Sequence, residues 1–344
     1  MATIALPGCS TLGYYGQAAR GQTEVLLGRR PLASVLSDPE TPPALRTKLI
    51  LAREARRFAA TQLALPDNTS YLRYTDLGRP FVVWNVFAAP TLSLEPVTSC
   101  FPLVGCLDYR GYFREAKARE FARELAASGN DVFVGGVAAY STLGWFADPL
   151  LDTMLVWDDR RLVKTLFHEL AHQRVYVADD TTFNESFAMA VADLGYARWQ
   201  AARGVTVEDD IDTLREAQLV ALLIAHRDEL DAIYRRRDLS DARKLELKRA
   251  QFEALDADYA ALRAQWHGDT SYDEWMNVDM NNAKLASVAT YHEFVPGFLA
   301  LFELAGGDFV RFYARVEALG KLDAAARARC LAAFATGQAD CAGL

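Results

Sequence analysis

The sequence predicts an α-rich α+β fold with a small mixed or antiparallel sheet and a long antiparallel helical hairpin. Helical spacing of apolar residues dominates the first 65 residues and most of the chain after residue 158. β-Branched and aromatic residues bounded by glycine and proline are concentrated between residues 70 and 157. Two long amphipathic segments meet at residues 238–241. These observations place one small sheet ahead of a set of central helices.

The N-terminal segment, residues 11–65, is predicted to be helical. Its clearest part is an arginine- and alanine-rich helix from about Pro43 to Leu63, which the Pro66-Asp67-Asn68 sequence ends. The Arg56-Arg57 pair on this helix, like Arg235–Arg237 later, lies among acidic residues and is interpreted as part of a solvated helix face.

The strand signals fall into four segments rich in β-branched, aromatic or apolar residues. Between the second and third segments, a helix is predicted from Tyr112 to Ala127, ended by Gly129-Asn130. Gly135-Gly136 interrupts the third, which indicates a bulge or a close approach to the backbone. The predicted strands are Tyr71–Tyr74, Phe81–Phe87, Val132–Tyr140 and Thr153–Trp157.

Two central helices follow the strands. Asp158 or Asp159 is suited to cap the first, which is predicted to run to about Val177. The second is predicted from about Thr182 to Ala202. Their proximity along the chain favours an antiparallel pair.

Beyond these helices, residues 209–266 predict two long amphipathic helices joined at residues 238–241, an antiparallel hairpin. The remainder, from Tyr272, is predicted to be helical with breaks at Pro296-Gly297 and Gly306-Gly307. We expect a single unit, 1–344, with four parts: an N-terminal helical segment (1–65), a sheet with two central helices (66–204), the hairpin (205–268) and a C-terminal helical segment (269–344).

Composition excludes some classes of function. About half of the 344 residues are apolar and a quarter are charged, as in an ordinary globular protein, and the net charge is −8. A dedicated nucleic-acid binder would need a basic stripe, which this sequence lacks. No stretch approaches the ~18 consecutive apolar residues of a membrane helix.

The cysteines bear on localisation. Leu6-Pro7-Gly8-Cys9-Ser10 is similar to the end of a bacterial lipoprotein signal, although only eight residues precede Cys9 and none is basic. Either the start is truncated or engineered, or the similarity is accidental.

The other four cysteines are spaced as Cys100/Cys106 and Cys330/Cys341, and local disulfides would indicate an oxidising compartment such as the periplasm. The alternative is four buried thiols in a cytosolic protein.

The segment from Leu166 to His172 contains the H-E-x-x-H motif, with His168, Glu169 and His172. Histidines at i and i+4 project from one face of a helix and can bind one Zn²⁺, while the glutamate between them is suited to deprotonate water. The apolar stripe of this helix, which includes Leu166 and Leu170, lies on the opposite side. The motif therefore predicts a zinc site, and the alternative is two surface histidines flanking a glutamate.

The third ligand decides the subclass. Val175 and Ala178 stand where a metzincin has its glycine and third histidine, so that class is excluded. Glu185, thirteen residues after His172, is the predicted ligand, as in His₂Glu sites. Asp179 and Asp180 are rival ligands. Glu185 could instead complete a capping box that begins at Thr182, and Asp193 is predicted to hold a histidine N–H as a second layer around the metal.

These residues carry a resemblance. Asn184-Glu185-Ser186-Phe187-Ala188 is similar to the N-E-G-F-A segment that follows H-E-x-x-H in zinc aminopeptidases. The whole chain resembles the bacterial putative aminopeptidase family of predicted periplasmic lipoproteins. The other matching segments are Gly8–Tyr15, Trp84–Pro90, Gly105-Cys106 with Tyr109–Phe113, Ala139–Phe146 and Asn281–Leu285.

The resemblance implies a zincin-like, gluzincin-type core and a zinc peptidase of the periplasm, tethered to the membrane through a lipidated Cys9. One segment departs from the well-characterised aminopeptidases, whose G-x-M-E-N glutamate binds the substrate amine. Here Gly135–Tyr140 offers no carboxylate. We interpret the segment as an edge strand on which a peptide lies, and the choice between exopeptidase and endopeptidase stays open.

The expected function is zinc-dependent hydrolysis of peptides, with Glu169 as general base. The oxyanion donor is predicted to be Tyr291, because gluzincins often use a tyrosine or histidine downstream, with Tyr140 as the alternative. No obligate protein partner and no nucleic acid are implied. The alternative function is a non-catalytic zinc- or peptide-binding protein of the periplasm.

Overall fold

Helices dominate the structure, and the strands are short. The computed structural model describes residues 8–101, 104–205, 211–278, 280–338 and 341, with side chains described from residue 13 onward. The helices are α1 (Gly8–Leu27), α2 (Leu32–Ser37), α3 (Pro43–Gln62), α4 (Glu115–Ala127), α5 (Asp152–Leu155), α6 (Asp159–His172), α7 (Thr181–Ala202), α8 (Ile211–Arg235), α9 (Asp241–Gln265), α10 (Asp273–Met276), α11 (Asn282–His292), α12 (Val295–Leu304), α13 (Phe309–Gly320) and α14 (Ala324–Ala335). The strands are β1 (Arg30–Pro31), β2 (Arg73–Thr75), β3 (Val83–Pro90), β4 (Ser99–Phe101), β5 (Gly105–Leu107), β6 (Tyr109–Tyr112), β7 (Asn130–Val137) and β8 (Leu150–Leu151).

The strands form two three-stranded sheets and a two-stranded hairpin, in the orders β1-β2-β8, β6-β3-β7 and β4-β5. β2 and β8 run parallel, whereas the other described pairs are antiparallel. The predicted α-rich α+β class is therefore confirmed. β7 pairs only with β3 among the described strands, so its predicted position at a sheet edge is confirmed as well.

The main core surrounds α6 and α7. The apolar stripe of α6, which includes Leu162, Leu166 and Leu170, is fully buried against α3 and α7. Phe167 packs its ring on that of Phe58 from α3. A Cβ on Gly195 of α7 would lie 2.9 Å from the Phe167 ring, so the glycine allows the two helices to approach closely. Burial of each such Leu or Phe stabilises the fold by about 2–3 kcal/mol.

The sheet β6-β3-β7 is covered on both faces. Trp84 and Val86 of β3 pack with Ala118 of α4 on one face, while Phe87 packs with Ala283 of α11 on the other. Because side chains alternate along a strand, one in two residues of β3 points toward α11. The face that carries Phe87 is therefore the one turned toward the central helices.

The predicted hairpin is confirmed as α8 and α9, with Ser240 capping α9 by accepting from the Arg243 N–H. Its apolar residues form a second core, closed by Leu285 of α11. Lys248 of α9 also forms an ion pair with Asp131 of β7. The hairpin is thus held against both α11 and the sheet.

Two predictions are wrong: the residue at which one helix starts, and the secondary structure of one short segment. Tyr112 does not begin a helix; it ends β6, opposite Trp84 of β3, and α4 begins at Glu115. The segment Thr153–Trp157 is not a strand: Thr153–Leu155 are buried in the short helix α5, which follows β8, and Val156 beyond it is exposed. A short apolar run does not distinguish a buried strand from a buried helical turn.

Two predicted helix boundaries are also wrong. α6 ends at His172 rather than Val177, because the Asn184 side chain binds both the N–H and the C=O of Val177 (2.8 and 2.7 Å). Pro296 lies in the first turn of α12, where proline is tolerated, and the break precedes it at residues 293–294. The break at Gly306-Gly307 is confirmed.

Two smaller interpretations need correction. Arg56 is not solvated: it is 8% exposed, and its Nε donates to the Ser70 carbonyl at 2.8 Å. Gly135-Gly136 is not a bulge, because β7 stays in register with β3 throughout. The close approach is made by a side chain, since a Cβ on Gly136 would lie 2.3 Å from the Phe81 ring.

Both predicted disulfides, Cys100–Cys106 and Cys330–Cys341, are present. The predicted lipid-anchor position Cys9 lies in α1, but its side chain is outside the described part of the structure. The stretch of residues 282–304 across α11 and α12 is long and apolar enough by composition to cross a membrane, but 56% of its 18-residue apolar window is buried in the protein. Its place in the core accounts for its apolar character.

Candidate metal centre

α6 presents the two histidines of the H-E-x-x-H motif one turn apart. Asp158 caps the helix by accepting from the Arg161 N–H at 2.7 Å, as predicted. The buried apolar stripe fixes the rotation of the helix, so His168 and His172 point away from α3. The two imidazole rings meet edge to face, with their Nε2 atoms 3.1 Å apart.

α7 supplies Glu185 from its first turns. Asp180 caps α7 by accepting from the Phe183 N–H at 3.0 Å, and Asp180 also forms an ion pair with Arg327 of α14 at 2.7 Å. The predicted alternative of a capping box at Thr182 is therefore wrong, because the cap lies two residues earlier. Glu185 is left free of the helix terminus and faces His168.

The rival ligands are engaged elsewhere. Asp179 adopts a positive φ of 64° and accepts from the Cys106 N–H at 2.7 Å, next to the β4–β5 hairpin. A Cβ at Gly105 would lie 2.5 Å from this carboxylate, so glycine permits the contact. The Asp180 carboxylate is engaged by the Phe183 N–H and by Arg327.

Asp193 was predicted to hold a histidine N–H, not to bind the metal. In the structure it forms an ion pair with Lys164 at 2.7 Å.

Three ligand atoms converge on one point. Glu185 Oε2 lies 3.1 Å from His168 Nε2 and 3.4 Å from His172 Nε2, and the two nitrogens are 3.1 Å apart. Ligand atoms of a tetrahedral zinc site, bound at about 2.0–2.1 Å, are separated by about 3.3 Å. This set is the group of candidate metal ligands found within the described residues. Its spacing fits a metal of that size.

One buried atom supports the fit. His172 Nδ1 is buried and has no hydrogen-bond partner among the described residues, while Nε2 of the same ring points at two other ligand atoms. A buried polar group without a partner is rare. The ring is thus turned so that Nε2 faces the cluster while Nδ1 has no partner, an orientation that a cation bound by Nε2 would stabilise.

The electrostatics of the cluster favour a cation. Burial lowers the pKa of His168. Burial also tends to lower the pKa of His172, but the neighbouring Glu185 carboxylate outweighs it and raises that pKa. Burial tends to raise the pKa of Glu185, but both histidines lower it strongly. Glu185 is therefore an anion in a largely buried site, with side-chain exposures of 8–12% across the set.

Glu169 lies beside this set and is 6% exposed. Its side chain forms no hydrogen bond to another described residue. Burial, followed by the charges of Glu185 and Asp148, raises its pKa to about 8 against the lowering effect of His172. A carboxylate whose pKa lies near neutral pH is suited to accept and return a proton.

Of the two predicted oxyanion donors, one is brought to the centre. The Tyr291 ring stacks on that of His168 with 6.2 Å between centroids. Burial raises the pKa of Tyr291 well above its usual value, and Glu185 and Glu169 raise it further, so its hydroxyl keeps its proton. Tyr140 donates its hydroxyl to Gln22 and packs on Phe113. Its hydroxyl is therefore committed away from the ligand set.

Sequence reasoning missed Tyr109, whose hydroxyl donates to Glu185 Oε1 at 3.3 Å. Tyr109 is on β6 opposite Phe87 of β3, so the sheet delivers it to the metal set. The same bond holds Glu185 with Oε2 toward the histidines. Tyr109 belongs to a segment that matched the family pattern, but its contact with Glu185 becomes visible only once β6 is paired with β3.

Asn85 was also missed. It is 5% exposed, lies on the same face of β3 as Phe87, and pairs with Gly111 on one side and Gly135 on the other. Its side-chain amide forms no hydrogen bond to another described residue. The two flanking glycines make room for neighbouring side chains, since a Cβ on Gly111 would lie 3.1 Å from Asn85 Oδ1 and a Cβ on Gly135 3.2 Å from the Phe133 ring. The arrangement leaves a buried amide on the sheet face that packs against α11.

Comparison with known proteins gives one match. The model of a family described as "Putative aminopeptidase" matches residues 13–331, nearly the whole chain. No curated protein and no solved structure matches the sequence.

Proposed function

The chain belongs to the putative aminopeptidase family, and we propose on that premise that it is a zinc-dependent peptidase with a zincin-like core. His168, His172 and Glu185 hold the metal, and Glu169 is the general base. The observation that carries the proposal is the triangle of ligand atoms, 3.1, 3.1 and 3.4 Å on its sides, beside a buried carboxylate. Two histidines and a glutamate are a donor set typical of catalytic zinc.

Each residue of the proposed site has a distinct part in hydrolysis. Zinc held by this set would act as a Lewis acid toward the peptide carbonyl and lower the pKa of water at the site. Glu169 takes a proton from the attacking water and returns it to the leaving amine. Tyr291, which stacks on His168, donates its hydroxyl hydrogen to the negative charge that develops on the carbonyl oxygen. Tyr109 keeps the Glu185 carboxylate oriented.

Two surfaces are candidates for holding the peptide. One is the outer edge of β7, which pairs with no further described strand. On this edge the Val132 carbonyl already accepts from Asn281 Nδ2 at 3.1 Å. The residue that touches the ligand set from the sheet, however, comes from β6 at the opposite edge. Because both faces of the sheet are covered by helices, we propose that the peptide lies along one of these two edges, with β7 the edge that the sequence favours.

The disulfides support an oxidising compartment, which for the resembled family is the periplasm. A lipidated Cys9 would tether the enzyme to a membrane there. Thiol counting tests the location: the native protein should expose no reactive thiol at these four cysteines, and reduction should release all four. Four free thiols in protein isolated from its natural host would instead favour the cytosol.

The proposed reaction is tested with Glu169→Gln. Because glutamine keeps the shape of the side chain but cannot accept the proton, zinc content should stay at the wild-type level while peptide hydrolysis falls at least ~100-fold. Activity is measured on peptides with free and with blocked N-termini, which also separates aminopeptidase from endopeptidase action. Retained hydrolysis would exclude Glu169 as the base. Stoichiometric zinc without hydrolysis by the wild-type protein would instead favour a non-catalytic zinc- or peptide-binding function.

A further inference from the structure

The connection between the two ligand-bearing helices sets how His172 and Glu185 are placed relative to each other. Residues 173–180, all of which the structure describes, lie between α6 and α7 and form neither helix nor strand. A segment without regular backbone hydrogen bonds needs other contacts to hold one conformation. One is made by Asn184 of α7, whose side chain binds both the N–H and the C=O of Val177. The remaining contacts of this connection therefore bear on the metal set.

The disulfide-closed hairpin β4–β5 supplies several of these contacts. Hydrogen bonds join the hairpin and the residue after it, Asp108, to the connection and to the first turn of α7. The donor–acceptor pairs are the Tyr176 hydroxyl with the Val104 carbonyl (2.8 Å), the Cys106 N–H with Asp179 Oδ1 (2.7 Å), the Asp108 N–H with Thr181 Oγ1 (3.2 Å) and the Thr182 hydroxyl with Asp108 Oδ2 (3.4 Å). The next residue, Tyr109, donates to Glu185 Oε1 at 3.3 Å. Residues 104–109 thus contact the connection, the start of α7 and a metal ligand.

The hairpin has little else to hold it in shape. None of the residues of β4 and β5 is buried, and the hairpin pairs with no further described strand. Its Phe101 ring contacts that of Tyr14 from α1, with 5.5 Å between centroids. An isolated two-stranded hairpin is marginally stable at best. Cys100 and Cys106 lie directly opposite each other, and the disulfide between them joins the two strands covalently, which restricts the hairpin to few conformations.

We propose that the Cys100–Cys106 disulfide is a positioning element for the metal set: it holds the hairpin against the connection and so fixes Glu185 relative to His172. The disulfide supplies no ligand and acts through Asp179 and the start of α7. This inference rests on the metal-binding part of the proposed function. Without the disulfide, α6 and α7 stay packed in the core, but their connection loses a fixed surface to bind. The ligand set is then less preorganised, and zinc binds more weakly.

The test replaces the disulfide by two serines, in Cys100→Ser/Cys106→Ser. The Kd for zinc is measured by competition titration against a chelator, at a temperature well below the Tm of every variant. It should rise roughly tenfold or more, as when other partners that orient metal ligands are removed.

The matched control is Cys330→Ser/Cys341→Ser. This second disulfide joins residue 341 to α14, where Cys330 is 7% exposed in the main core. Both variants lose one disulfide and should unfold at a lower temperature than the wild-type protein. The control should keep the wild-type Kd for zinc, so a general loss of stability is separated from a loss of positioning.

A further variant, Asp179→Gly, breaks the link while the disulfide stays intact. Glycine readily adopts the positive φ of 64° at this position and lacks the carboxylate that accepts from the Cys106 N–H. Its Kd for zinc should also rise. Because both changes break the same link, the rise in the triple variant should be smaller than the product of the two separate rises. Asp179→Gly also decides the question if the double serine variant does not fold.

The outcomes are distinguishable. Weaker zinc binding by Cys100→Ser/Cys106→Ser and by Asp179→Gly, with an unchanged control, supports the positioning role. An equal loss of affinity in both disulfide variants, or wild-type affinity in either Cys100→Ser/Cys106→Ser or Asp179→Gly, overturns it and leaves the proposed function intact. A wild-type protein that binds zinc but cuts no peptide overturns the peptidase and leaves the positioning role in place. One that binds no zinc overturns both.

Discussion

The molecule contains two antiparallel helix pairs that differ in their surroundings. Nine of the fourteen residues of α6 are buried, whereas only five of the 25 residues of α8 are. The α6–α7 pair lies in the main core, while the α8–α9 hairpin packs on it through one face only. Both pairs contain a buried histidine, but among the described residues the ring nitrogens have different surroundings in the two pairs.

The comparison shows why the candidate chemistry lies in one pair. His226 of the hairpin is 6% exposed, but its Nε2 lies 3.0 Å from Asp258 Oδ2 and its Nδ1 2.8 Å from Gln251. Both ring nitrogens are therefore satisfied by protein. In the α6–α7 pair, the nitrogens of His168 and His172 face each other and Glu185, an arrangement that a cation stabilises. Polar groups that pair one to one stabilise a fold, whereas three ligand atoms that converge on one point can form a metal site.

The largest expected difference between the pairs is in metal binding. His172→Ala should abolish stoichiometric zinc and peptide hydrolysis, because two ligands do not hold zinc in competition with buffer. His226→Ala, the matched control, should keep both and lower the free energy of unfolding by about 1–2 kcal/mol. Metal analysis after dialysis and denaturant unfolding measure the two effects. Zinc loss from the His226 variant would show that the hairpin belongs to the site.

A second, smaller difference concerns two buried tyrosine hydroxyls. Tyr109→Phe removes the donor to Glu185, so the Kd for zinc should rise roughly tenfold or more. Tyr234→Phe removes a donor from α8 to Asn282 Oδ1, a 2.9 Å bond, and should lower unfolding free energy by about 1 kcal/mol without changing zinc affinity. Competition titration against a chelator measures the affinities. Equal affinities in all three proteins would mean that the Tyr109 bond does not orient the ligand.

The last effect concerns stability alone and is expected where the two pairs meet. Glu216 of α8 lies 3.0 Å from Lys164 of α6 and also pairs with Arg160. Burial tends to raise the pKa of Glu216, but Lys164 and Arg160 lower it to about 2. Because the pKa is lowered on folding, this pair stabilises the fold fully above the unfolded pKa near 4.3 and is lost as the pH falls toward 2.

Glu216→Gln should therefore reduce stability by about 1–2 kcal/mol at pH 7, allowing for the 32% exposure of the carboxylate, and less with each step toward pH 3. Unfolding is followed in a chelator, so that metal release does not contribute. A difference between variant and wild type that does not shrink as the pH falls would contradict the ion-pair explanation.

The sequence predicts local features of this fold better than features that depend on contacts between distant residues. Helical periodicity identified α6, α7 and the hairpin, and residue type narrowed the cap of α6 to Asp158 or Asp159, of which the structure shows Asp158. The end of α6 at His172 was missed: the prediction extended the helix to Val177, which is bound instead by the Asn184 side chain, seven residues further on. Thr153–Trp157 was mistaken for a strand because a single helical turn with three consecutive buried residues is too short to show helical periodicity.

The candidate site divides in the same way. His168, Glu169 and His172 follow from local spacing on one helix, and Glu185 from a short gap with a family pattern. Tyr109 and Asn85 could not be predicted, because each reaches its place through strand pairing. No local pattern encodes those contacts. The side chains expected to orient the chemistry are thus the ones least visible in the sequence.

The ion pair between Asp180 and Arg327 has a consequence for the order in which the molecule is assembled. Asp180 caps the helix that carries Glu185, and the cation that neutralises it comes from α14, 147 residues further along the chain. During synthesis, the segments with His168, His172 and Glu185 emerge well before α14. Until α14 docks, the Asp180 carboxylate at the start of α7 lacks the Arg327 guanidinium as its counter-ion. The metal-binding helices are made early but reach their final stability late.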